Sequence, residues 1–73
     1  MESNEQDGTI RANIKIGYVV EIVQKQHQRS GELTEGIVDK LLTKSPKHTR
    51  GIKVRLETGE IGRVQTVIDN EVY

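Results

Sequence analysis

The 73-residue chain has no cysteine, no tryptophan, no phenylalanine and a single proline. Without cysteine there is no disulfide frame, no thiolate zinc site and no cysteine nucleophile. Aromatic residues make up 3% of the chain, namely Tyr18 and Tyr73. Proteins that read unpaired bases usually stack them on aromatic platforms, and this chain has none to offer. No apolar run approaches the ~18 residues of a membrane-spanning helix. Residues 1–9 are acidic and polar, the opposite of a secretory leader. The expectation is a cytoplasmic protein with no membrane contact.

The length allows one domain at most, and 33% hydrophobic residues supply a small core. Charged residues are 30% of the chain and sum to zero, but they are segregated. Residues 1–9 hold Glu2, Glu5 and Asp7 and no base. Residues 10–68 hold all eleven Lys and Arg against six acids, and Asp69 and Glu71 make the end acidic again. A basic body between acidic ends suits an anionic partner, with excess charge for solubility as the plainer reading.

Residues 1–13 show no periodicity and read as a disordered acidic tail; residues 14–68 form a single small domain, and residues 69–73 a C-terminal tail. Within the domain, short β-favouring runs alternate with glycine-bearing loops. Residues 18–25 (YVVEIVQK) form the first strand. Residues 34–43 (TEGIVDKLLT) fit a second strand bent at Gly36, although Val38, Leu41 and Leu42 also fit a short helix; the missing N-cap favours the strand. Residues 52–56 (IKVRL) alternate cleanly, with Ile52, Val54 and Leu56 on one side and Lys53 and Arg55 on the other. Glu57-Thr58-Gly59-Glu60 makes a hairpin turn into residues 61–68. There the alternation slips at Gly62, which predicts a bulge and leaves the face of Arg63 open. Four to five short antiparallel strands without a convincing helix make an all-β fold, a small SH3-like barrel, with a truncated OB-like barrel as the alternative.

Catalysis finds little support. His27 and His48 lie in loops with no carboxylate close in sequence, and Ser30, Ser45 and Asp39 show no triad spacing. Two histidines do not complete a metal site, and no Gly-Lys-Ser/Thr follows Gly31 or Gly36 as a phosphate loop requires. The expectation is a protein that is not an enzyme and takes no cofactor or metal. What rises above background is cationic: Lys25 and Arg29 at the first loop, Lys44, Lys47, His48 and Arg50 in the second, and Lys53, Arg55 and Arg63 on the hairpin. Such a set can neutralise phosphates, and histidine can join it as pH falls. The competing view of Lys53 and Arg55 is a solvated strand face whose charges block aggregation.

The order Ile16-Gly17, Val20 to Lys25, Gln28-Arg29-Ser30-Gly31, Thr34, Gly36-Ile37-Val38, Leu41-Leu42-Thr43, Ser45-Pro46, His48, Gly51 to Leu56, Gly59 and Gly62 to Gln65 resembles the small bacterial YwbE family. The likeness runs over residues 14–68 and leaves out the tail. That family is a domain of unknown function, so the resemblance implies no catalytic residue. It does imply that Lys25, Gln28, Arg29, Thr34, Thr43, His48, Lys53, Arg55 and Arg63 belong to a characteristic polar pattern, which overlaps the cationic set. A looser likeness, of fold alone, is to the KOW-type barrels of translation and transcription proteins. The leading expectation is an RNA- or ribonucleoprotein-binding module. A protein-interaction module is the alternative, and a homo-oligomer pairing its edge strands is the third reading.

Overall fold

The computed structural model describes residues 6–69. The strands are β1 (Gln6–Asp7), β2 (Val19–Gln24), β3 (Thr34–Leu41), β4 (Lys53–Leu56) and β5 (Ile61–Asp69). All pairings are antiparallel. The sheet order is β1-β5-β2-β3-β4, and a further β5–β4 pairing closes the last four strands on themselves. The result is a small all-β, SH3-like barrel. Three-residue 3₁₀ turns at Arg11–Asn13 and Lys25–His27 are the helical pieces among the described residues, so the helix often found in an OB-like barrel is not among them.

Period-two patterning decides which side chains enter the barrel. In β2, Val20 and Ile22 are fully buried, and in β4 Val54 and Leu56 are buried while Lys53 and Arg55 stay exposed. Ile14, Val38, Ile52, Val64 and Val67 complete a core of nine aliphatic residues, with Tyr18 and Leu41 packed against it. Residues 34–41 are strand because both edges find partners, β2 on one side and β4 on the other. Past Leu41 the ladder is finished by a side chain: the Thr43 hydroxyl accepts from the Lys53 N–H at 2.8 Å.

The strand irregularities fall elsewhere than the glycines predicted. Gly62 sits in regular register opposite Val54 and Gln24. The β2–β5 ladder instead skips Gln65 and Ile68, which lets Val64 and Val67 both point inward. On β3 the slip is at Asp39, between Val38 and Lys40, rather than at Gly36. Both glycines answer a packing need: a Cβ on Gly36 would lie 2.6 Å from Leu56 Cδ1, and one on Gly62 2.6 Å from the Val23 carbonyl oxygen.

The expectation of a disordered tail over residues 1–13 is corrected for its described part. Gln6–Asp7 pairs with Val67 and Thr66 of β5. Gly8 O accepts from Ile52 N–H at 2.9 Å, Thr9 O from His48 N–H at 2.9 Å, and Pro46 O from Arg11 N–H at 2.9 Å. Ile10 bridges to Lys47. Residues 6–14 are thus a strap that supplies backbone partners to the 44–51 loop, whose peptide groups would otherwise need water or side chains. At the other end, Asp69 belongs to β5, opposite Val19, while residues 70–73, like 1–5, lie outside the described residues.

Candidate functional site

The face of Arg63 left open by the sequence is settled by register. Arg63 lies directly opposite Lys53 on β4 and opposite Val23 on β2. Cross-strand partners share a face, so Val23, Arg63 and Lys53 form one row across the outer wall of the barrel. Lys53 and Arg63 are like charges placed opposite each other, an arrangement that costs stability.

Two shallow depressions adjoin on this wall. The first, of about 420 Å³, is lined by Val23, Ile61 and Gly62 together with Lys25, Gln28, Lys53 and Arg63. The second, of about 530 Å³, is lined by Thr49, Arg50, Gly31 and Gln65 together with Val23, Gln28 and Arg63, which it shares with the first. No acidic side chain lines either depression among the described residues.

The positions of these side chains follow from local structure. Arg63 Nη1 donates to the Gly51 carbonyl at 3.1 Å, which fixes its guanidinium between the depressions. Gly51 can present that carbonyl because it has φ +103° and no Cβ; a Cβ there would stand 2.3 Å from the Val64 carbonyl oxygen. Lys25 opens the 3₁₀ turn that follows β2, and Gln28 caps it, its N–H donating to Lys25 O at 3.4 Å. The loop is held across its mouth by His27 Nε2 and Glu32 Oε2 at 2.9 Å. His27 therefore does meet a carboxylate, brought round by the turn at Gly31, contrary to the sequence expectation.

Of the nine cationic or histidine positions singled out in the sequence, Lys25, Lys53, Arg63 and Arg50 are brought together here. Arg29, Lys44 and Lys47 are exposed but line neither depression. Arg55 is committed elsewhere: its Nη2 and Nε donate to Asp39 Oδ2 at 2.6 and 3.1 Å. His48 is half-buried, and its Nδ1 accepts from Arg50 N–H at 3.2 Å, so it shapes the turn that presents Arg50. The 44–51 loop is strapped rather than adjustable. Sequence reasoning missed Gln28, Thr49 and Gln65 as lining residues; Gln28 and Gln65 carried a signal through the family-like order, and Thr49 carried none.

Among the described residues, no group of three or more His, Asp or Glu gathers as a metal centre, and no helix is long and apolar enough to cross a membrane.

A profile of a family described as an uncharacterized conserved protein (DUF2196) matches residues 7–67. The match begins seven residues before Ile14, so all of the strap but Gln6 lies within it, which corrects the expectation that the segment before Ile14 stands outside the likeness. The uncharacterized protein YwbE of Bacillus subtilis (strain 168) is 50% identical over 62 residues, covering 85% of this chain and 95% of that protein. No enzyme family is indicated by either likeness. No solved structure matches the chain.

Proposed function

The chain belongs to the uncharacterized conserved family DUF2196, that of YwbE, and from that premise we propose that it is a non-enzymatic module that binds the phosphate backbone of nucleic acid, in structured RNA or a ribonucleoprotein. The observation that carries this reading is the Lys53–Arg63 pair. Two like charges opposite each other in a small barrel oppose folding by roughly 0.2–1 kcal/mol, and an anionic ligand turns that cost into affinity. Lys25 and Arg50 extend the positive surface to either side. The absence of acids from the lining leaves the field uncancelled, which favours capture of phosphate.

Contact is with the backbone rather than with base edges. Tyr18, the one aromatic residue among those described, is packed against the core. Phosphate contacts position a nucleic acid without reading its sequence, so binding is tolerant of sequence and sensitive to salt.

The test is a titration of isotope-labelled protein with an RNA hairpin and with a single strand of the same length, at ~50 and ~200 mM salt. Four cations on phosphate give a loss between the two salts of roughly 150-fold for the hairpin and roughly 50-fold for the single strand. Amide shifts are expected in residues 25–31, 49–53 and 61–65. Silence at both salts contradicts the reading. Saturable binding of an acidic peptide with weak salt dependence would favour a protein-interaction module instead, with Ile61, 43% exposed on the rim, as its apolar contact.

A further inference from the structure

The two depressions lie at successive outward positions along β5. One reaches to Ile61 and the other to Gln65, and Arg63 stands between them. Outward positions on a strand are two residues apart, so the depressions are offset by about 6.7 Å. Each has its own cation in addition to Arg63: Lys25 and Lys53 on one side, Arg50 on the other. Arg63 spends one of its five N–H donors on Gly51 O, and the remainder of its planar fork is open to ligands on both flanks. Of the acids on adjoining elements, Glu32 meets His27 and Asp39 meets Arg55, while Glu21 on β2 and Glu60 before β5 line neither depression.

Resting on the nucleic-acid reading above, we propose that the depressions are paired seats for consecutive phosphates of one strand, with Arg63 as the shared ligand. The strand then runs along β5. The unit that fits the offset is one nucleoside with a phosphate on each side of its sugar. Gln28, common to both seats, offers its amide to the sugar between them.

The smallest ligand that engages both seats is a nucleoside 3′,5′-bisphosphate. Adenosine 3′,5′-bisphosphate and adenosine 5′-monophosphate are titrated against the full chain by NMR at low salt. The bisphosphate is expected to bind at least ~10-fold more tightly, shifting amides on both flanks of Arg63, in keeping with the strength of charge-assisted bonds. In Arg50→Gln, which keeps the backbone N–H that bonds His48, most of that gain is expected to vanish, with monophosphate affinity falling much less than bisphosphate affinity. Equal affinities, no detectable binding of either probe, or a gain that survives Arg50→Gln overturns the paired-seat assignment. Salt-dependent binding of an RNA hairpin alongside any of those outcomes leaves the nucleic-acid reading standing, whereas loss of RNA binding itself removes both.

Discussion

The two sides of this barrel use similar residues to opposite ends. On the strap side, residues 6–14 meet the basic loop of residues 44–51 through main-chain bonds of Thr9 with His48 and Arg11 with Pro46, and Gly8 bonds Ile52 just beyond it. On the wall side, Lys25, Lys53 and Arg63 surround a concave surface without a carboxylate among the described lining residues. Cations occur in both regions, but Lys44 and Lys47 sit on a tied loop away from any depression, while Lys53 and Arg63 are paired against their own repulsion. Whether a positive charge is available to a ligand is decided by where the backbone places it and by which neighbours claim it. Composition alone does not decide it.

The comparison can be broken hardest at Gly51, which belongs to both regions. Its φ is +103°, and a Cβ built on it would collide with the Val64 carbonyl oxygen, which leaves no room for a side chain. Gly51→Ala is expected to cost roughly 3 kcal/mol, read by denaturant unfolding, and to release Arg63 in whatever folded fraction remains. A change below ~1 kcal/mol would show that the loop bends freely and that the strap does not hold it.

Thr43→Val tests the seam between the two sides, where Thr43 accepts from Arg11 of the strap and bonds the backbone of Lys53, without removing a wall charge. It removes the hydroxyl that accepts from Lys53 N–H and leaves that donor exposed to partial hydration. The expected loss is about 1 kcal/mol of stability, with RNA affinity altered less than ~2-fold. Asp39→Asn works in the other direction. It releases Arg55 from its ion pair, costs at most ~0.5 kcal/mol because both partners are about half exposed, and adds one free cation beside the wall. RNA affinity is expected to rise by a few-fold at low salt.

The smallest effect is at the hairpin tip. The Thr58 hydroxyl donates to Glu60 Oε1, and this bond, with a backbone bond, holds the Glu60 carboxyl below its usual value. A carboxyl whose folded pKa is lowered contributes stability above its unfolded pKa and loses it as pH falls through the folded value. Thr58→Ala should return the Glu60 titration, followed by NMR, toward the ordinary glutamate range and remove that acid-side contribution, with no change in RNA binding.

Much of the barrel was legible from patterning. The alternation over residues 52–56 sends Val54 and Leu56 inward and leaves Lys53 and Arg55 outside, as read. The 34–43 segment was ambiguous because its apolar residues fit either period, and the second pairing edge, with β4, decided it. The strap was invisible for a physical reason: its attachments are main-chain bonds, which leave no periodic trace in residue types. Bulges were sought at glycines, yet Gly36 and Gly62 serve close packing, and the slips fall at Asp39, Gln65 and Ile68. The cationic set was visible, but its division was not. Arg55 was claimed by Asp39, and His48 and Thr43 by backbone groups, through pairings that only the fold creates.

The most direct measurement is RNA affinity at ~50 mM salt for two charge-matched double variants, Lys53→Gln with Arg63→Gln and Lys44→Gln with Lys47→Gln. Each removes two positive charges, so nonspecific attraction falls equally. The wall variant is expected to lose at least ~10-fold in affinity with little change in stability, because relief of the like-charge pair offsets loss of the Arg63–Gly51 bond. The loop variant is expected to lose less than ~3-fold. Equal losses in the two variants, or none in the wall variant, would contradict a phosphate-binding wall.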